Sequence, residues 1–258
     1  MSRISQQELL TYLDHLLSPE QYQDYSPNGL QLQGQTQIKH IVTGVTASLA
    51  LIQAAIDKGA DTLIVHHGWF WKNEDPRIIG MKHQRIATAI GHRLNIFAYH
   101  LPLDGHPVYG NNTQLGQVLG FELDRDDAGE LRRCGPHNLI QLGHLKTPKT
   151  LAEVAKHVDK TLQRKPQYVG DPQQKIQRVA WCTGGAQGFM PDAMAAGADL
   201  YITGEASEHS YHYATESSTA FMAAGHHATE RYGVKALGEH LAEQFGLQVE
   251  FIDLDNPF

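Results

Sequence analysis

Apolar positions follow two rhythms along this chain. Leu9, Leu10, Leu13, Leu16 and Leu17 share one face of a helix, and Ser5 with Glu8 marks its start by the spacing of a capping box. The polar stretch DYSPNGLQLQG reads as a loop. Short β-rich runs then alternate with helical ones: a strand near Ile38 to Val45, a helix near Ser48 to Lys58, a strand from Thr62 to Val65, a helix over Gln84 to Leu94 and a strand from Ile96 to Tyr99. The order β-α-β-α-β predicts a largely parallel sheet with helices on its faces, in which ligands gather outside the carboxyl ends of strands. His66 and His67 lie at one such end, and YHLPLD, with His100 and Asp104, at another. Neighbouring side chains on an extended strand point to opposite faces, so both imidazoles of IVHHG reach one site only if the backbone breaks there. Gly68 permits that break, because it tolerates dihedrals that other residues avoid.

The second half repeats the plan. IVTGVTASLALIQAAIDKGADTLIVHH can be laid beside VAWCTGGAQGFMPDAMAAGADLYITGE, which matches Thr43 and Gly44 to Thr183 and Gly184, and Gly59, Ala60 and Asp61 to Gly197, Ala198 and Asp199. His66 and His67 then fall on Gly204 and Glu205. FAYH ending at His100 parallels MAAGH ending at His226, and each histidine precedes a carboxylate by four residues, Asp104 or Glu230. The expectation is an α/β protein of two similar domains from an internal duplication, 1–125 and 126–258, with a site in the cleft between them.

Composition narrows the function classes. A formal charge of −7, with no basic run, argues against sequence-independent binding to nucleic acid. No apolar run approaches the roughly 18 residues of a membrane span, and MSRISQQELL lacks the pattern of a signal peptide, so a cytoplasmic protein is expected. Cys134 and Cys182 are too few and too isolated for a disulfide scaffold or a thiolate zinc site, and read as buried small hydrophobes. Histidine is plentiful, at 16 residues.

If equivalent strand ends of the two halves meet, His66, His67, His100 and Asp104 face Glu205, His226, His227 and Glu230. Imidazole with carboxylate suits zinc, manganese, iron or cobalt, and a bridging carboxylate lets two divalent ions sit about 3.5 to 4 Å apart. Each element has a plainer reading. HHG alone can be a polar pair at a turn, Trp69, Phe70 and Trp71 read as core or subunit-contact residues before a base-stacking platform, and His226 or Glu230 can cap the helix that follows. His83, His92, His157 and His240 lie in helical stretches and read as solvated.

PNGLQLQG, IVTGVTAS, IVHHG, YHLPLD, ITGE and GHHATE together resemble the YbgI-type dinuclear-metal proteins, the NIF-three-like family often labelled type 2 homologues of GTP cyclohydrolase 1. The resemblance runs from about Ser5 to Asn256 with no long insertion. It implies paired α/β domains, a two-metal site between them and a homohexameric ring. It places metal ligands at His66, His67, Asp104, His226 and Glu230; family members commonly carry an aromatic where His227 stands. Some members are reported to open the purine ring of GTP, and others are described only as metal-binding or as partners of other proteins. The expected activity is metal-dependent hydrolysis of a nucleotide-like small molecule, in which an ion-activated water attacks an electrophilic centre such as C8 of guanine. Glu205, His212 and His100 are the candidates for proton transfer, with Glu205 and His212 fitting the family pattern better than His209. The alternatives are a non-catalytic metal-binding ring acting through partners and a two-metal phosphoesterase.

Overall fold

The Glu8 amide donates to the Ser5 hydroxyl at 3.1 Å and the Ser5 amide to the Glu8 carboxylate at 2.8 Å, so the capping box forms as the spacing predicts. It opens the helix Gln6–Leu17, which buries Leu9, Leu13 and Leu17. In the computed structural model, which describes residues 2–258, this helix belongs to the first of two compact units, made of the chain up to Leu103 together with Val234–Asp255.

The sheet of the first unit has the order Gln248–Phe251, His40–Thr46, Thr62–His67, Asn95–Ala98, Gly29–Leu32. The first four strands run parallel and the last is antiparallel. Alternate residues feed two cores: Ile41, Ile64 and Phe97 pack with Leu9, Leu13 and Leu237, while Val42, Leu63, Val65 and Ile96 pack with Leu51, Ile52 and Ile86. Burial on both faces is why these strands read as nearly unbroken apolar runs. The helices Leu49–Asp57 and Gly80–Gly91 make the crossovers.

Three expectations shift. The second crossover helix begins at Gly80, four residues before the expected start at Gln84. Gly29–Leu32, read as loop, is an edge strand against Asn95–Ala98, with a register shift between Leu30 and Leu32 that turns Leu30 to one core and Leu32 to the other. The strand from Thr62 continues to His67, which pairs with Thr46. Because Gln248–Phe251 returns to the edge of this sheet, contacts do not divide the chain near residue 125.

The second unit comprises Asp104–Gly233 and Asn256–Phe258. Its three parallel strands, Lys175–Trp181, Leu200–Thr203 and Ala220–Ala223, are flanked by antiparallel Gln167–Val169 and Ile140–Thr150. Trp181 is fully buried among Leu115, Val158, Ile202 and Met222. Each unit has the same order of elements: a helix with a capping box, a strand, then three parallel strands joined by helices, with the early strand antiparallel to the third parallel one. In both, the second and third parallel strands end at candidate site residues: His66, His67 and His100 in one, Glu205 and His226 in the other.

Candidate metal centre

In the first unit three imidazoles converge. The ring centroids of His66 and His67 are 4.5 Å apart, those of His66 and His100 5.1 Å, and those of His67 and His100 5.8 Å. One nitrogen of each lies within 4.8 Å of one nitrogen of the others. Fully buried His66 has Nδ1 3.0 Å from the Tyr99 carbonyl, which can only accept, so Nδ1 carries the proton and Nε2 presents a lone pair. His100 Nδ1 sits 2.6 Å from Asp24 Oδ1, which fixes that imidazole in the same sense. His67 Nδ1 meets the Thr46 hydroxyl at 3.3 Å. Imidazoles anchored through one nitrogen by an outer partner are arranged as metal ligands are.

The backbone turns away from the strand differently from the expectation. Gly68 is not in the left-handed region; Phe70 is, with φ 65°. Gly68 is needed for space, since a Cβ there would overlap the Gln31 side chain and Ala98. Gln31 ties the two loops together: its Oε1 accepts from the Trp69 amide at 2.7 Å, and its Nε2 donates to the Pro27 carbonyl at 2.8 Å.

Asp24 had no place among the sequence candidates. Besides His100, it accepts from the Tyr25 amide at 2.6 Å, Asn28 Nδ2 at 2.9 Å and the Leu101 amide at 3.0 Å. Burial alone would raise its carboxyl, but the His100 pair and these donors outweigh burial and hold it down at about 2.

In the second unit the carboxylates are buried. Asp104 is 6% exposed and Glu230 2%, and one oxygen of each lies within 4.8 Å of the other. Asp104 Oδ1 accepts from Asn111 Nδ2 at 2.9 Å and from the Thr183 hydroxyl at 3.2 Å. Glu230 Oε2 lies 3.1 Å from His226 Nε2, and His226 Nδ1 lies 2.7 Å from Glu205 Oε1. A Cβ on Gly184, which has φ +67°, would overlap Glu230 Oε1, so only glycine leaves room for this carboxylate. Burial alone would lower His226, but Glu230 and then Glu205 raise it to about 9. Two desolvated carboxylates this close repel, and compensating cationic charge lowers that cost. The donor set fits a divalent cation of the zinc, iron, manganese or cobalt type. The Cys182 thiol is pushed up by burial and then by Asp104 and Glu230.

The other sequence candidates scatter. His212 is exposed on the helix Glu208–Glu216 and pairs with Glu208 at 2.7 Å. His209 packs against Tyr213 on the same helix. His227 is buried beside His226 in sequence. His83 and His92 are exposed as expected, whereas His157 is half-buried on the Leu119 carbonyl and His240 on the Tyr12 hydroxyl. Asn111 and Asn112 were missed as support for Asp104, donating to its carboxylate and its carbonyl, while Thr113 beside them donates to the His106 carbonyl. Their signal was a run of polar residues opening a helix, all 2% exposed or less.

Residues 4–257 match the family model described as Duf34/NIF3 (NGG1p interacting factor 3). The chain is 52% identical over 250 residues to a protein of Neisseria meningitidis serogroup B named GTP cyclohydrolase 1 type 2 homolog, with 97% of this chain and 98% of that one covered. A protein of the same name from Pseudomonas aeruginosa is 49% identical over 249 residues, with 96% and 97% covered. A solved structure described as protein ybgI, of unknown function, superposes with a TM-score of 0.93 at 45% identity over 99% of this chain and 100% of that one. Among the described residues, no helix is long and apolar enough to cross a membrane. On the length of these matches, the chain belongs to the Duf34/NIF3 family.

Proposed function

We infer that this chain is a dinuclear metal-dependent hydrolase of a nucleotide or nucleotide-like small molecule, with two divalent ions held by His66, His67, Asp104, His226 and Glu230. The observation that carries it is the pair of buried carboxylates, Asp104 and Glu230, each provided with orienting partners. When bound, the ions supply Lewis acidity and activate water. The chain's own residues do the rest. The Tyr99 carbonyl fixes the His66 tautomer, Asn111 and Thr183 aim Asp104, and Glu205 turns His226. His100, held by Asp24, accepts a proton near the attacked bond, and Glu205, about half exposed, exchanges protons with solvent. The name shared by the relatives favours purine ring opening, in which the attacked carbon is C8 of a guanine. Copies of the chain assemble into a ring, for which exposed Ile78, Ile79 and Met81 supply apolar contact surface.

Elemental analysis tests the centre. Two ions per chain are expected, falling to at most one in Glu230→Ala; a wild-type chain with at most one ion, unchanged by that substitution, removes the dinuclear reading. Turnover of nucleotides and phosphoesters by metal-loaded protein tests the reaction. Nucleotide hydrolysis faster than with free metal is expected. Its absence across the panel favours a metal-binding ring that works through partners.

A further inference from the structure

Of the three tryptophans, Trp69 and Trp181 are core residues, 4% and 0% exposed, with indole N–H groups donated to the carbonyls of Ala47 and Asn112. Trp71 is different. It is half-buried, and its ring meets His100 edge-on at 5.0 Å and His67 at 5.9 Å between centroids. Its indole N–H is already donated to the Gly68 carbonyl at 3.2 Å, so what the ring offers a newcomer is π surface. Tyr25 lies on the other side loop, 56% exposed, with its ring 6.3 Å from that of His100. His100 therefore has an aromatic neighbour from each of two loops.

Those loops are locked. The Lys72 amide donates to the Tyr25 carbonyl at 2.6 Å, Gln31 bridges Pro27 and Trp69, and Asp24 gathers Tyr25, Asn28 and Leu101 around His100. Hydrogen bonds fix the backbone from which both rings project, while the rings themselves keep solvent contact. A large apolar ring held rigidly in water beside a reactive group lowers the cost of binding a flat partner.

We propose that Trp71 and Tyr25 form the stacking face that takes the planar heteroaromatic ring of the substrate and presents it to His100 and His67. This rests on the hydrolase reading for the identity of the site and adds the specificity-determining residues to it. A purine, whose faces stack on any aromatic, suits such a surface; a bare sugar phosphate does not.

The test is binding, measured apart from turnover. Guanosine and ribose 5-phosphate are titrated by calorimetry into both metal-stripped and metal-loaded protein. Tryptophan fluorescence is followed in parallel, since only Trp71 of the three is open to a stacked base. Guanosine should bind both forms and quench the emission, and ribose 5-phosphate should do neither. Trp71→Leu and Tyr25→Leu should each weaken guanosine binding about tenfold, the scale of losing one base–aromatic stack, while Trp71→Phe and Tyr25→Phe keep wild-type affinity. Tyr25→Leu, at an exposed ring, carries the test should Trp71→Leu not fold. Guanosine binding unchanged in the leucine variants overturns the proposal, as does equal binding of ribose 5-phosphate or no guanosine binding by the wild type. A change of oligomer size in Trp71→Leu with guanosine affinity intact makes Trp71 a subunit contact and overturns it too. Guanosine binding that depends on both rings without any turnover sinks the hydrolase reading and leaves the stacking face standing.

Discussion

Replacing Asp24 by asparagine keeps the shape of the side chain and removes its charge, which separates the electrostatic contribution of this loop from its packing. Asp24 is 4% exposed at the side chain, so little solvent screening applies. Its folded carboxyl sits at about 2 against an ordinary 3.8, a difference worth about 2 kcal/mol at neutral pH. A lowered folded value means that the stabilisation is complete above the unfolded value and disappears as pH falls through the folded one. Asp24→Asn should therefore lower the melting temperature at pH 7 by about 4 to 8 °C, from about 2 to 4 °C per kcal/mol for a chain of this size. Near pH 3 roughly half of the gap should remain, and near pH 2 little of it. Thermal unfolding of both proteins between pH 2 and 7 reads this directly. Equal melting at pH 7 would show that the charge of Asp24 is not used. A gap that persists undiminished at pH 2 would assign the loss to packing and not to the charge of the Asp24 carboxylate.

Four other outcomes are expected. Gly184→Ala, which puts a methyl group where Glu230 Oε1 lies, should fold with reduced metal content; full occupancy by elemental analysis would show that Glu230 is not a ligand. Glu205→Gln should keep the ions and slow hydrolysis by on the order of 10² to 10⁴, and full turnover would remove its proton-transfer role; His212→Ala, on the exposed helix away from the centre, should leave turnover unchanged. In the metal-free protein, Glu205→Gln should also bring the His226 titration down from about 9, because the Glu205 carboxylate is one of the groups that raise it; a proton NMR titration checks this. Light scattering should show an assembly larger than a dimer, and a stable monomer at micromolar concentration would exclude the ring.

Much of this was legible in the chain. The leucine face after Ser5 and the alternating runs around IVTGV and TLIVHH carried the parallel sheet, because strands buried on both faces must be continuously apolar. IVHHG and YHLPLD marked strand ends, where the topology gathers ligands. The return of Gln248–Phe251 to the sheet edge beside His40–Thr46 was not legible, since a short strand does not announce its partner. Asp24 was hidden for another reason. DYSPNG reads as an ordinary turn, and only tertiary contact brings His100, 76 positions away in the sequence, against its carboxylate. Gly68 was singled out for the wrong property: its role is the absence of a side chain beside Gln31 and Ala98, with the positive φ falling at Phe70.

The histidines do not depend on equally replaceable anchors. His66 leans on a main-chain oxygen, the Tyr99 carbonyl, whereas His100 and His226 lean on the carboxylates of Asp24 and Glu205. No codon change at position 99 can delete a peptide oxygen, so the orientation of His66 is inherited with the sheet itself. The other anchors can each be lost by a single substitution. A carboxylate anchor also draws on the Nδ1 proton more strongly than a carbonyl does, and makes the opposite nitrogen a better electron donor. His100 and His226 can thus be retuned through residues 24 and 205, whereas the anchor of His66 changes only with the path of the main chain at Tyr99.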